Sequence, residues 1–222
     1  MRVLVVGFDT ATPAVSVALH DGDKIVASAW TVDARRHGEL LAPMLADVLA
    51  DAAVTRADLT GIAVGVGPGP YTGLRVGLVT ARVLGAVLGI PVHGVCTLDI
   101  IAAQARAAQG REFLVATDAR RKEVYWARYD ASGGRVEGPA VGPAAEISNG
   151  QHLPVAGDGG SIYADAFGEI VQPAYPDARA LCEIVVRRLQ QDQGPELLAP
   201  DPLYLRRPDA REPGAPKQVT PR

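Results

Sequence analysis

Short apolar runs separated by turns open the chain. Residues 3–8 form a continuous apolar run that ends at Asp9, which is typical of a buried strand. Residues 14–19 alternate small and branched side chains, and the Asp-Gly pair at 21–22 predicts a turn before a third run at residues 24–30. The pattern therefore predicts a three-stranded meander.

Helices and strands alternate in the next part of the chain. Apolar residues recur at helical spacing from Leu40 to Leu49, with Asp33 as a candidate cap and a start near residue 38 or 39, because proline at Pro43 is tolerated only in a first turn. Residues 61–66 and 92–96 are predicted strands, and residues 72–88 and 98–108 are predicted helices. This order, β-β-β-α-β-α-β, is that of the ribonuclease H-like unit.

The pattern then restarts in a reduced form. Residues 113–117 predict a strand that ends at Asp118, as the first strand ends at Asp9. Further strands are predicted at residues 123–129, 135–141 and 153–156, and one amphipathic helix at residues 178–190. We therefore predict an α/β protein of two ribonuclease H-like halves with mixed sheets, the second truncated. The first half is expected at residues 1–108, the second at 109–193, and a proline-rich tail with a mobile end at 194–222.

Composition and charge narrow the function classes. The 222 residues carry a formal net charge of −3, and a protein that held tRNA by itself would have a basic surplus to neutralise phosphates. The two cysteines, Cys96 and Cys182, form no CxxC pair and fit a reducing compartment. No leader precedes the first strand, and Arg82 and three glycines interrupt the longest apolar stretch. A cytoplasmic protein without a membrane segment is expected.

Two strand–aspartate turns are the candidate nucleotide-binding features. They contain Asp9 and Thr10 in the first half and Asp118 in the second, and the Gly157-Asp158 turn is a candidate contact for adenine or ribose. Phosphate turns favour glycine, whose backbone approaches the ligand without a Cβ. Ala11 and residues 119–120 stand at those places. The turns are therefore predicted to be vestigial, with the two carboxylates capping strand ends as the alternative.

The sequence lacks the residues that metal binding or nucleophilic catalysis would need. His37 is followed four residues later by Leu41, so no two histidines share a helical face, and solvated or capping roles are expected for the histidines. One of them, His152, is isolated by long separations. No G-x-S-x-G elbow is present. We expect no catalytic residue, no metal and no cofactor, apart from weak ATP or ADP binding within a complex.

The most distinctive segment is a rigid elbow at residues 67–75, Gly-Pro-Gly-Pro-Tyr-Thr-Gly-Leu-Arg. Thr72 is its candidate helix cap, ahead of free N–H groups that could hold an anion. In the following helix a small residue recurs every fourth position, at Gly73, Gly77, Ala81, Gly85 and Gly89. Glycine costs about 1 kcal/mol inside a helix, so a close neighbour should compensate. That neighbour is either the protein's own sheet or another subunit.

Six segments resemble, in order, the signatures of the bacterial TsaB (YeaZ) family. The elbow, continued to residue 77, is similar to the family's GPGSFTGLRIG. The others are Phe-Asp-Thr-Ala-Thr at residues 8–12, the Arg-His-Gly-Glu helix start at 36–44, Asp-Ala-Arg-Arg-Lys-Glu-Val-Tyr at 118–125, Ala-Gly-Asp-Gly at 156–159 and Pro-Leu-Tyr-Leu-Arg at 202–206.

The resemblance implies a non-catalytic subunit of the complex that makes N6-threonylcarbamoyladenosine beside the anticodon of tRNAs reading ANN codons. Its implied partners are the catalytic subunit TsaD and the small ATPase TsaE, with a homodimer when alone and tRNA only through the complex. TsaD carries an HxxxH metal motif, and this chain has Leu41 at the second position. The implied partner contacts lie on the first two helices: Leu41, Met44, Leu45, Gly73, Arg75, Gly77, Val79, Ala81, Val83 and Gly85.

Direct tRNA contact within the complex stays open, with Arg35, Arg36, Arg120, Arg121 and Lys122 as candidates. Two alternatives of other classes also remain open. The first is a stand-alone ATP-binding phosphotransferase of the sugar or acetate kinase fold, which would need a complete second half and glycine-bearing phosphate turns. The second is a metallopeptidase-like protein, which would need a ligand set for a metal.

Overall fold

The first five strands form one mixed sheet. The computed structural model describes residues 3–105, 110–147, 153–192 and 194–206. The strands are β1 Val5–Asp9, β2 Ala14–His20, β3 Ile25–Val32, β4 Gly61–Gly65 and β5 Val92–Val95. Their order in the sheet is β3-β2-β1-β4-β5, with β1 antiparallel to β2 and parallel to β4. The predicted meander thus supplies one edge of this sheet.

A smaller second sheet repeats the same plan. Its strands are β6 Phe113–Asp118, β7 Glu123–Tyr129, β8 Arg135–Pro143 and β9 Val155–Ala156. Their order is β8-β7-β6-β9, and β6 is antiparallel to β7 and parallel to β9. Among the described residues no strand corresponds to β5. The prediction of two ribonuclease H-like halves, the second truncated, is confirmed.

The described residues form six α-helices, of which the first two cover the outer face of the first sheet. The helices are α1 His37–Asp51, α2 Tyr71–Leu88, α3 Thr97–Gln104, α4 Ala144–Ile147, α5 Asp158–Ile162 and α6 Ala178–Gln191, with short 3-10 turns at Arg56–Asp58 and Ala164–Ala166. Leu41 of α1 and Leu74 of α2 pack with Phe8 and Val17 of the sheet. Residues 106–108, at the predicted end of α3, and residues 207–222 of the predicted tail lie outside the described residues, as does His152.

Helices α3 and α6 lie between the two sheets and cross from one half to the other. Although α6 follows the second sheet in sequence, its Leu181 packs with Val5 of the first sheet. Conversely, Ile101 of α3 packs with Phe113 of the second sheet. The boundary predicted at residue 108 therefore does not separate two packing units, because each sheet takes its inner helix from the other half of the chain.

The starts of α1 and α2 differ from the predicted caps. Arg36 is the residue before α1, and the carboxylate of Asp33 instead accepts the Arg35 amide at 3.0 Å. Pro43 lies inside α1 beyond its first turn. Helix α2 begins at Tyr71 after Pro70, so Thr72 lies in the first turn and is not the cap. Pro70 has a φ of −58° but an extended ψ of 134°, so the helix begins at the next residue.

The C-terminal strap, residues 194–206, ties the two halves together. Leu198 and Gly94 exchange backbone hydrogen bonds of 2.8 Å, and the Leu203 amide donates to the Val66 carbonyl at 2.9 Å. At the far end, Nη1 of Arg206 donates to the Ala119 carbonyl at 3.0 Å, and its guanidinium pairs with Glu123. The strap therefore runs from the edge of the first sheet to the aspartate turn of the second.

Candidate functional site

The first aspartate turn is committed to the protein's own structure. Asp9 is fully buried; one carboxylate oxygen accepts the Ala11 amide at 2.8 Å and the other accepts the Thr97 hydroxyl at 2.7 Å. Burial raises the pKa of Asp9, against the lowering effect of these hydrogen bonds. A Cβ at Gly65 would collide with this carboxylate. Both oxygens of Asp9 are therefore engaged within the fold.

The next residue, Thr10, holds helix α2 against the sheet. Its hydroxyl donates to the Gly73 carbonyl at 2.7 Å and accepts the Gly77 amide at 3.0 Å. A Cβ at Gly73 would lie 2.6 Å from the Thr10 carbonyl oxygen, and one at Gly77 would lie 2.6 Å from the Thr10 hydroxyl. Both distances are too short for any larger residue. Gly73 and Gly77 must therefore be glycine because Thr10 of this protein approaches them so closely.

The rest of the small-residue stripe is also buried within the chain. A Cβ at Gly85 would collide with Val92 of β5, and Ala81 is fully buried. Of the two readings of this stripe, packing against the protein's own sheet is the one observed. Six of the predicted partner contacts are buried within the chain, which leaves them little surface for a partner: Leu41, Leu45, Gly73, Gly77, Ala81 and Gly85.

The opposite side of α2 carries an exposed apolar ridge. We define the outer ridge as Val79, Val83 and Val87, which are 58%, 55% and 76% exposed. Met44 of the neighbouring α1 is half-buried. Sequence reasoning named Val79 and Val83 but missed Val87, although its spacing of four from Val83 is a detectable signal. The members of the predicted contact set that a partner can reach are Val79 and Val83 of this ridge, the exposed Arg75 and, in part, Met44.

Side chains of α2 and of the C-terminal strap stack on one another at the N-terminal end of α2. The guanidinium carbon of Arg75 lies 3.8 Å from the ring centre of Tyr71, and its Nε donates to the Tyr204 hydroxyl at 2.8 Å. The two tyrosine rings stack with centres 5.6 Å apart. Hydrogen bonding to Tyr204 raises the pKa of Arg75. Nothing in the sequence linked Tyr204 to α2, because the contact joins residues far apart in the chain.

Helix α2 also has the length and apolar composition of a membrane-crossing segment. Its small-residue face, however, packs on the Thr10 turn and on β5, as expected for a helix that covers a sheet.

The second aspartate turn is strained and polar. One oxygen of Asp118 accepts the Tyr163 hydroxyl and the Arg120 amide, both at 2.9 Å. The Asp118 amide in turn donates to Asp158 at 3.1 Å. Burial, and then the charge of Asp118, raise the pKa of Asp158 to about 6. The three residues after Ala119 all have positive φ, of 62°, 59° and 63°, where glycine is ordinarily favoured.

Little space remains between the two aspartate turns. A cavity of about 20 Å³ separates Ala11, Thr12 and Pro13 from Asp118 and Asp158. Small-molecule sites commonly enclose about 300–1,000 Å³. Asp9 and Thr10 do not line this cavity, and a Cβ at Gly157 would collide with the Ala116 carbonyl. The space directly between the two aspartate turns is therefore too small for a nucleotide. An adjoining cavity of about 300 Å³ shares Thr12, Pro13, Pro70 and Arg120 with it and is lined by Thr10.

Larger cavities are present, and one of them adjoins this small cavity. One of about 300 Å³ lies beside the N-terminal turns of α1 and α2 and is lined by Arg35, His37 and Arg120. His37 is buried there and its Nε2 donates to the Thr12 carbonyl at 2.8 Å. Another, of about 600 Å³, borders Asp99, whose carboxylate accepts the Tyr129 hydroxyl at 2.8 Å. Within the described ranges, no group of three or more His, Cys, Asp or Glu residues could hold a metal ion.

Two ribonuclease H-like halves with mixed sheets place the chain in the actin-like α/β class. Residues 30–163 match the family model of TsaD, the tRNA N6-adenosine threonylcarbamoyltransferase. Two crystal structures from Pseudomonas aeruginosa, YeaZ and a protein with similarity to the peptidase YeaZ, superpose with TM-scores of 0.77 and 0.79. Both are 29% identical in sequence, and the match covers 91% and 92% of this chain and all of theirs. The chain belongs to the TsaB (YeaZ) family, related to TsaD.

Curated relatives extend this similarity along the chain. An uncharacterised protein of Mycobacterium tuberculosis is 46% identical over 215 residues, which cover 93% of both chains. One of Mycobacterium leprae is 44% identical over 213 residues, or 94% of this chain and 56% of the relative.

Proposed function

We propose that this chain is a non-catalytic, activating subunit of the complex that transfers threonylcarbamoyl to the N6 amine of the adenosine beside the anticodon in tRNAs reading ANN codons. Its direct partner in this proposal is a TsaD-type catalytic subunit, which carries the reaction. A TsaE-type ATPase and the tRNA are reached through that complex, and the chain pairs with itself when alone.

The outer ridge is the observation that carries the proposal. Three valines one helical turn apart, each more than half exposed, form an apolar strip on a helix whose other face is fixed to the sheet. Contiguous exposed apolar surface on a soluble fold marks interaction sites, and helices pack through such strips. A partner helix laid along α2 would cover the ridge and reach Met44 of α1.

The engaged first aspartate and the small space beside the second aspartate turn support an accessory role over catalysis. Asp9 has both oxygens engaged, and the space beside Asp118 and Asp158 is far smaller than a nucleotide. A phosphotransferase needs its phosphates positioned by such turns. In this proposal the aspartate turns maintain the fold, and any ATP or ADP is bound only at the level of the complex.

A charge change on the ridge tests the proposal. Val83→Asp should lower co-purification with the organism's TsaD-type subunit by about tenfold or more, because a carboxylate would be buried in an apolar contact. Threonylcarbamoyladenosine formation in the reconstituted reaction should fall in parallel. Light scattering should report a dimer for the unchanged chain alone and a monomer for the variant.

Val136→Asp is the matched control, since Val136 is 50% exposed but lies on β8 of the second half. It should bind and activate normally. Undiminished binding by Val83→Asp, or modification of tRNA by the isolated chain without a TsaD-type subunit, would contradict the proposal.

A further inference from the structure

Charge is distributed unevenly along the outer surface that helices α1 and α2 form. The two helices follow strands β3 and β4, which point the same way, and their first turns line the same cavity of about 300 Å³. They therefore run side by side in one direction, with both amino-terminal ends together. Because each helix dipole places partial positive charge at the amino-terminal end and partial negative charge at the carboxyl-terminal end, the two dipoles add.

Side chains strengthen this polarity at the amino-terminal end. Arg75 is exposed in the second turn of α2, and the first turn of that helix has no acidic residue. Tyr71 and Tyr204 hold the guanidinium of Arg75, which forms no ion pair with a carboxylate in the described part of the chain. Glu39, the acidic residue in the first turn of α1, lies 3.8 Å from Arg36. The charge of Arg75 is therefore left without an opposite charge.

The carboxyl-terminal end of the same surface is acidic. Asp47 and Asp51 are exposed near the end of α1, and neither helix has a basic residue in its last turn. Arg56 and Asp58, in the turn that follows α1, have opposite charges. At the end of α2, a Cβ on Gly89 would have no neighbour within 4 Å, so this end is open. Helices ordinarily have acidic residues in the first turn and basic residues in the last, and here the arrangement is reversed.

Arg75 and the outer ridge form one line along α2. Positions 75, 79, 83 and 87 follow one another at intervals of four and share a face of the helix. Two copies of the chain could join their ridges with the α2 helices parallel or antiparallel. In a parallel pair, Arg75 would face Arg75 of the second copy, and the two acidic ends would also meet. In an antiparallel pair centred near residue 81, each Arg75 would face the acidic end of the other copy.

We propose that the chain pairs with a second copy of itself through the outer ridges, with the α2 helices antiparallel and each Arg75 against the end that carries Asp47 and Asp51 in the other copy. This inference rests on the proposed function, which supplies the ridge as the contact surface, and adds the orientation of the pair and the charges that set it. Complementary charges across an interface fix the relative orientation of the partners, and like charges disfavour the alternative. Arg82, a further cation on α2, pairs with Asp201 at 2.6 Å and does not alter this pattern.

Charge exchange tests the orientation, with self-association of the full chain measured by analytical ultracentrifugation. Arg75→Glu places a carboxylate against the acidic end, and the pair Asp47→Lys with Asp51→Lys places ammonium groups against Arg75. Each exchange should weaken self-association about tenfold, and high salt should reduce the difference. The triple variant restores opposite charges in an antiparallel pair and should recover most of the affinity. In a parallel pair like charges would still meet, so the triple variant would not recover.

Glu146→Lys is the matched control, since Glu146 is an exposed carboxylate on α4 of the second half, and it should associate normally. The exchanges place charges where each helix dipole favours them, so circular dichroism should show folded variants. A monomeric unchanged chain, full association of either exchanged variant, or a triple variant that does not recover would overturn the proposed orientation. If Val83→Asp still abolishes association in that case, the outer ridge remains the contact surface, whereas undiminished association of Val83→Asp would contradict the proposed function itself.

Discussion

The hydroxyl of Thr10 accepts the backbone amide of Gly77 at 3.0 Å, which joins the first aspartate turn directly to helix α2. The same hydroxyl donates to Gly73 one turn earlier. Thr10, in the turn after β1, thus requires glycine at both Gly73 and Gly77. The two hydrogen bonds from Thr10 hold helix α2, which carries the outer ridge, against the first sheet.

Alanine at Gly77 should destabilise the protein. The added methyl would lie 2.6 Å from the Thr10 hydroxyl, and overpacking of this kind costs about 1–3 kcal/mol. Urea denaturation should report that loss in the free energy of unfolding. Gly38→Ala is the control, because a Cβ there would meet nothing closer than Val76 at 4.0 Å. Equal effects of the two substitutions would show that helix propensity, and not contact with Thr10, determines the result.

Leu41 and Val79 were both predicted as partner contacts and should now behave differently. Leu41 is 1% exposed and packs in the core of the first sheet, whereas Val79 is 58% exposed. Leu41→Ala should reduce the free energy of unfolding by about 2–5 kcal/mol. Val79→Ala should change it by less than about 0.5 kcal/mol while weakening capture of the TsaD-type subunit. A loss of stability at Val79 would place the outer ridge inside the fold.

Asp158 should make stability depend on pH. Burial, and then the charge of Asp118, raise its pKa to about 6 in the folded chain, against an ordinary value near 4. Between these values the folded state keeps a proton that the unfolded state has released, so stability falls as the pH rises. The loss is complete above about pH 6 and amounts to about 2–3 kcal/mol.

Asp158→Asn lacks this proton and should gain stability relative to the unchanged protein from pH 4 to pH 7. Thermal and chemical denaturation across this pH range would measure the difference in the free energy of unfolding. A difference between the two proteins that stays constant over this range would mean that Asp158 ionises normally.

Arg206 should anchor the strap to the second half. It donates to Ala119 and pairs with Glu123, with only a quarter of its side chain exposed. Arg206→Ala should cost about 1–3 kcal/mol and speed amide hydrogen exchange in the turn from Asp118 to Glu123. Arg82→Ala removes a more exposed ion pair, to Asp201, and should cost at most about 1 kcal/mol. Unchanged exchange in the Arg206 variant would show that the turn holds its shape without the strap.

The sequence predicted the strands and long helices well, because their apolar periodicity is local. It failed where packing depends on residues far apart in the chain. The α6 pattern predicted an amphipathic helix, but nothing in it indicated that its apolar face covers the first sheet. Asp33 and Thr72 have side chains suited to capping, but the chain enters α1 and α2 through Arg36 and Pro70.

The candidate site was only partly accessible to sequence reasoning. A small residue at every fourth position of α2 indicates a helix face that another part of the structure approaches closely. It does not identify that part, which the structure shows to be Thr10 and Val92. The exposed valines follow from the same periodicity, because they occupy the other face. Tyr204 has no sequence signal either, because its contact with Arg75 joins residues far apart in the chain.

The pairing of Leu198 with Gly94 has a consequence for the solubility of this chain. A sheet edge with unpaired backbone groups is a template on which another molecule's strand can grow, and the strap occupies part of that edge at β5. A polypeptide ending before Gly194 would uncover it. Such a shortened protein should self-associate through open strand edges, a different and less specific assembly from one formed through helix α2.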